Sequence, residues 1–105
     1  MKFKNLKKNQ VYNESELKKA LPEESGIYVF FLKSCCLYVG RSYNIKKRVC
    51  RHLTNRHWLL MTRIVKATKR YFRVKYMLCE KEDLDKIELF YIRELKPVLN
   101  KKNNS

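Results

Sequence analysis

The chain has 105 residues, enough for one compact domain. Its apolar share of 45%, with seven Tyr and five Phe, is too high for a disordered chain, and no apolar run is long enough to span a bilayer. Against 10 Asp and Glu stand 25 Lys and Arg, a formal net charge of +15 that opposes folding by self-repulsion and favours a polyanionic partner, nucleic acid ahead of an anionic membrane surface.

Taken in chain order, residues 1–12 are polar and basic and read as a mobile arm ahead of a single domain over 13–100. Met1-Lys2-Phe3-Lys4-Asn5 has no apolar stretch behind it, so a signal peptide is not expected and a cytoplasmic location is. In a eukaryotic or viral setting that location becomes nuclear, and in a bacterium the nucleoid. Residues 15–21 have helical character, with Asn13 or Ser15 as cap and Pro22 as stop.

Residues 26–32 and 35–39 are β-prone apolar runs separated by Lys33-Ser34, which predicts a β-hairpin. Their lack of alternation implies strands covered on both faces. Tyr28 and Tyr38 share a face only if the register sets them in phase. A strict two-residue turn would put them on opposite faces.

Asn44 caps a predicted helix over 45–54, and a second helical stretch covers 57–67. Residues 71–79 alternate as a third strand. Glu82-Asp83 open a last helix that runs to Leu95 and stops before Pro97. Residues 101–105 form a polar tail. The predicted fold class is α+β, a small three-stranded antiparallel sheet flanked by helices.

Two helices carry residues out of character with a simple core. On the last one, Leu84, Ile87, Tyr91, Ile92 and Leu95 share an arc, and Glu88 falls inside it. A carboxylate facing a core is costly unless it is paired or holds a metal. On the helix over 45–54, Arg48 and His52 lie one turn apart at the border of the buried arc formed by Ile45, Val49 and Leu53. An Arg there can reach a cleft and grip a phosphate, although a solvated Arg beside a packed His is the plainer alternative. The four cysteines, at 35, 36, 50 and 79, show no C-x2-C spacing and read as reduced thiols rather than a zinc site.

Together these residues resemble the GIY-YIG nuclease family, which includes the N-terminal nuclease domains of repair excinucleases and the GIY-YIG homing endonucleases. The two signature triplets stand as Gly26-Ile27-Tyr28 and Tyr38-Val39-Gly40. Arg48 follows ten residues after Tyr38, His52 four later, Glu88 lies on the last helix, and Lys96-Pro97-Val98-Leu99-Asn100 supplies the closing Asn100. The resemblance covers about residues 21–100.

It implies a metal-dependent endonuclease acting on DNA phosphodiester bonds. Tyr28 would be the general base, Tyr38 and His52 would orient water or shuttle protons, and Arg48 would clamp the phosphate. Glu88 would hold Mg²⁺ or Mn²⁺, and Asn100 would hold the site together. Arg41, Lys46, Lys47, Arg51, Lys69 and Arg70 are expected DNA contacts. The partner would be DNA, branched or flapped forms included and RNA not excluded, with a recruiting protein or a second copy as further partners and a role such as DNA repair. A binding module without turnover would use the charge equally well, but it has no need of Glu88 on an apolar arc.

Overall fold

In the computed structural model, residues 3–54, 59–68 and 71–100 are described. The elements are β1 (Lys4–Asn5), α1 (Lys8–Tyr12), α2 (Glu14–Ala20), β2 (Gly26–Leu32), β3 (Cys35–Ser42), α3 (Ile45–Thr54), α4 (Leu59–Ala67), β4 (Phe72–Leu78) and α5 (Leu84–Leu95), the last entered through a 3-10 turn at Lys81–Asp83. The sheet is antiparallel throughout, in the order β1-β4-β2-β3.

The sheet has four strands, not the three that the sequence pattern predicts, and residues 3–12 are not a mobile arm. Lys4 and Asn5 pair with Tyr76 and Lys75, and the Leu6 N–H donates to the Val74 carbonyl at 3.0 Å. Val11 is buried, and Phe3 meets Tyr91 edge-on with ring centroids 5.0 Å apart. Apolar residues at 3, 6 and 11 are enough to dock a short basic segment whose charged side chains stay in water.

Two apolar clusters lie on opposite faces of the sheet. One gathers Tyr28, Phe30, Phe72, Val74 and Tyr76 with Leu17 of α2, Ile45, Val49 and Leu53 of α3, and Met61 and Val65 of α4. The other gathers Ile27, Val29, Val39 and Met77 with Leu84 and Ile92, and with Ile87, Tyr91 and Leu95 packed against them. Burial on both faces explains the unbroken apolar run of β2, a central strand. Local signals act where expected. Asn13 Oδ1 accepts from the Glu16 N–H, Asn44 Oδ1 accepts from the Lys47 N–H, and α5 ends on Lys96 in the left-handed region (φ 48°) just before Pro97.

The hairpin resolves the tyrosine question through a bulge. Leu32 pairs with Cys35 across a two-residue turn in which Lys33 takes a φ of 57°. That register alone would set Tyr28 and Tyr38 on opposite faces. Between Phe30 and Phe31 the register shifts, so that Phe31 faces Cys36 and Phe30 faces Tyr38, with Leu37 the extra residue. From there Tyr28 opposes Gly40, and Tyr28, Phe30 and Tyr38 share one face.

The edge of β3 is closed by the segment after α5. Val98 and Leu99 N–H groups donate to the carbonyls of Cys36 and Leu37, at 3.2 and 2.9 Å. The side chain of Asn100, 2% exposed, then completes the edge like a strand partner: Val39 N–H donates to its Oδ1 at 2.9 Å and its Nδ2 donates to the Val39 carbonyl at 2.8 Å. Replacing Asn100 with Ala deletes both bonds and strands two buried backbone groups. Stability in urea should fall by about 2–4 kcal/mol. A loss below about 0.5 kcal/mol would show that the edge does not depend on this amide.

Candidate active site

The site forms at the β3 rim, where the two faces of the sheet come within reach of each other. Tyr28 starts from the centre of the sheet and is fully buried. Its ring leans across β3 over Gly40. A Cβ built on Gly40 would lie 2.2 Å from Tyr28 Cζ and 2.4 Å from its hydroxyl oxygen, so only glycine leaves room for the phenol. Gly26 meets a similar limit, because a Cβ there would lie 2.2 Å from the Met77 carbonyl oxygen of β4. The chain has only these two glycines, one in each triplet.

The Tyr28 hydroxyl lies 3.0 Å from His52 Nε2. The rings of Tyr28, Tyr38 and His52 cluster with centroids 5.8 to 6.1 Å apart, and Phe30 packs against all three. Tyr38 lies beside Tyr28 and adds to the rise in its phenol. The bonded pair of Tyr28 and His52 has two proton arrangements. Either Tyr28 donates to His52 Nε2, or His52 donates to Tyr28. One proton can move along it with no movement of heavy atoms.

His52 is carried on the buried side of α3, while Arg48, one turn earlier, is exposed at the cleft. The start of α3 is fixed by backbone bonds from the Ile45 and Lys46 N–H groups to the carbonyls of Glu24 and Pro22, at 2.9 and 3.1 Å. From the opposite face of the sheet, α5 brings Glu88, whose side chain is 17% exposed. Arg41 Nε lies 3.5 Å from Glu88 Oε1, and the same guanidinium pairs with Asp85 one turn earlier on α5. An open cleft of about 210 Å³ lies here, lined by Arg41, Ser42, Tyr43, Arg48 and Leu84.

The electrostatics tie these groups together. Burial holds the Tyr28 phenol well above its usual value of 10, Tyr38 adds to the rise, the Arg48 charge opposes it, and Glu88 adds a little more. Burial also raises Tyr38, helped by Glu88 and opposed by neighbouring Tyr28 and by Arg48. Both phenols therefore sense both Arg48 and Glu88. Glu88 itself is raised by burial, and Arg41 pulls it back toward the ionised form.

Tyr28, Tyr38, Arg48, His52 and Glu88 are thus brought to one place. Asn100 is not; its amide is spent on Val39, so it fixes the strand carrying Tyr38 and Gly40 and does not face the cleft. Arg41 lines the cleft, but its charge is engaged by Asp85 and Glu88, not held out as a free phosphate contact. Lys47 and Arg51 are exposed on the solvent side of α3, about 100° and 60° from Arg48 around the helix. Lys46 is half-covered, about 160° away from Arg48 around the helix. Lys69 and Arg70 lie outside the described residues. Sequence reasoning missed Asp85, whose signal is its place three residues before Glu88, and Tyr43, an aromatic in an otherwise polar turn.

Cys36 is buried and its thiol is pushed up to about 11, chiefly by burial, which leaves it inert at neutral pH. Among the described residues, no group of three or more His, Cys, Asp or Glu could hold a metal ion. The donor set at the rim suits a hard divalent cation held by one carboxylate and mostly by water, and not a zinc site.

Two measurements check this geometry. Gly40→Ala should cost about 1–3 kcal/mol through overpacking and displace the Tyr28 ring from His52; unchanged stability would mean the ring does not rest there. The phenols of Tyr28 and Tyr38 are held above 10, whereas an unfolded Tyr ionises at about 10. Their burial therefore favours the fold fully below pH 10, and this contribution is lost as pH rises beyond it. Phenolate absorbance should show both still protonated past pH 10, with urea stability falling above that point and falling less in Tyr28→Phe. A Tyr28 phenolate already present below pH 10 would contradict the burial.

No protein-family model and no curated protein sequence matches the chain. Among solved structures, the chain is similar to the GIY-YIG N-terminal endonuclease domain of UvrC from Thermotoga maritima bound to magnesium, its catalytic divalent cation. That match has a TM-score of 0.69 and 19% identity over 85% of this chain and 97% of that one. A point mutant of the same domain, bound to its catalytic divalent cation, aligns with a TM-score of 0.66 and 18% identity over 82% of this chain and 92% of the other. The chain therefore has the fold of the GIY-YIG endonuclease domain.

Proposed function

We propose that the chain is a divalent-metal-dependent endonuclease that hydrolyses phosphodiester bonds in DNA. The observation that carries this reading is the convergence at the β3 rim of the bonded Tyr28 and His52 with Arg48 and Glu88. The similar structures are of an endonuclease domain bound to a catalytic divalent cation, which supports it.

Cleavage needs a base for the attacking water, positive charge on the phosphoryl oxygens and help for the leaving oxygen. Tyr28 is too strongly held in its neutral form to wait as a phenolate. The bond to His52 removes the difficulty: Tyr28 takes the water proton as its own proton passes to Nε2, so no isolated phenolate is ever buried. Tyr38 packs beside the Tyr28 ring and limits its movement. Arg48, exposed at the cleft mouth and near both phenols, grips the scissile phosphate with two parallel N–H donors.

Glu88 would hold the metal, Mg²⁺ or Mn²⁺, with waters filling the other positions. When bound, that ion supplies Lewis-acid stabilisation of the leaving 3′ oxygen. Arg41 keeps Glu88 ionised despite its burial, and Asp85 holds Arg41 from the solvent side. Lys47 and Arg51 extend the positive surface along α3 and position the backbone without reading bases.

One such site cuts one strand, so a two-strand break would require a second copy or a second event. Branched or flapped DNA is the proposed substrate, with cytoplasmic DNA repair as the setting and a recruiting protein as a partner that could direct the cut. Among the described residues, no helix is long and apolar enough to cross a membrane.

The test is a cleavage panel of single-stranded, duplex, flapped and branched DNA, and RNA, in Mg²⁺, in Mn²⁺ and in EDTA. Cutting of DNA should require the metal, and Glu88→Gln or Arg48→Ala should slow it by about 10²–10³-fold in folded protein. Glu88→Gln should also abolish Mn²⁺ binding measured by paramagnetic resonance. Cleavage by either variant at the parent rate would sink the assignment. Salt-sensitive DNA binding with no cut in any divalent metal would leave a binding module instead.

A further inference from the structure

Tyr43 has no structural task in the fold. It sits between β3 and α3 and is 69% exposed, more than any other large apolar side chain among the described residues. Leu60, Tyr71, Leu89, Phe90 and Val98 are exposed too, but none of them lines the cleft that Tyr43 shares with Arg41 and Arg48. The turn is built without its ring: the Ser42 hydroxyl donates to the Asn44 carbonyl at 2.8 Å and accepts from the Asn44 N–H at 2.9 Å. The Lys81 ammonium lies over one side of the Tyr43 ring, 5.4 Å from its centroid, and the ring otherwise stands in solvent, so a cation already backs the aromatic plane.

An aromatic plane flanked by cations, next to a phosphate-gripping Arg, has the chemistry of a platform for single-stranded nucleic acid. Phosphates are drawn by the charges while a base stacks on the ring. A base inside a continuous duplex is stacked on both sides already and has no free face to offer. A base at a flap, a branch point or a strand end has one. We infer that Tyr43 stacks an unpaired base next to the phosphate held by Arg48, which makes a junction between paired and unpaired DNA the preferred ligand. The inference rests on the reading of this cleft as the nucleic-acid site and names the substrate class within it. Lys81 contributes through the neighbouring phosphate, and Leu84 forms the apolar floor beside it.

The probe is a flapped duplex carrying 2-aminopurine at the first unpaired position, titrated in EDTA so that binding is read without cleavage. Binding of the parent protein should quench the probe. Tyr43→Ala should lose the quench and bind the flap roughly tenfold more weakly. Tyr43→Trp should keep both, and the Ala variant should lose less than twofold on a fully paired duplex of the same sequence. A quench that persists in Tyr43→Ala would overturn the proposal, as would an equal loss on flap and duplex. A parallel cleavage assay separates this from the nuclease reading. Tyr43-dependent quench with no cutting in any metal supports the platform and sinks only the nuclease. Metal-dependent cutting with a quench indifferent to Tyr43 sinks only the platform.

Discussion

The Tyr28 ring lies against Gly40, and the site exists because of that contact. Tyr28 belongs to the central strand, whose side chains are enclosed on both faces of the sheet. Its hydroxyl can be useful only if the ring crosses to the edge of β3. Crossing requires a residue on β3 with no side chain on that face, opposite Tyr28 in register, and Gly40 is that residue. The register in turn depends on the extra residue at Leu37, which brings Tyr38 onto the same face after a two-residue turn. The strand holding all of this is an edge, the part of a sheet most free to slip, and the Asn100 amide and the backbone of Val98 and Leu99 pin it.

At the rim, helices on opposite faces of the sheet reach a common point. α3 brings His52 and Arg48 from one side, and α5 brings Glu88 from the other. Each group is costly alone. Glu88 loses water, the phenols are held neutral by burial, and Arg41 is drawn between two carboxylates. Together the costs offset one another, because Arg41 restores charge to Glu88 and the Arg48 charge opposes the rise in both phenols. On the proposed reading, the bond between Tyr28 and His52 lets a proton be taken up without burying a new charge in isolation.

Much of this is legible in the sequence, for reasons that differ by element. The apolar arc of α5 identifies both its packing face and Glu88, because a helical period leaves a misplaced carboxylate visible. Asn13 and Asn44 mark helix starts correctly because capping is a local interaction. The bulge leaves no local mark; Leu37 is one more apolar residue in an apolar run, and only pairing with β2 shows that it is extra. Residues 3–12 look like a mobile arm because three dispersed apolar anchors amid lysines carry no period long enough to count. The pairing of Arg41 with Asp85 joins β3 to α5 across more than forty positions, and no spacing rule reaches that far.

A rim site also dictates how specificity must arise. The cleft is open and small, lined by two arginines, a serine, a tyrosine and a leucine, so it cannot enclose a nucleotide and read its edges. On the proposed reading it grips a phosphate and one exposed base. The charge spread along the chain would supply affinity for DNA without preference. On that reading, discrimination would come from the shape of the DNA, from whether a strand end or an unstacked base is offered at the place where Tyr43 and Arg48 stand together. A deep pocket would reject a duplex by size. A rim with one aromatic would instead discriminate as proposed for Tyr43, because a paired, stacked base gives the ring nothing to bind.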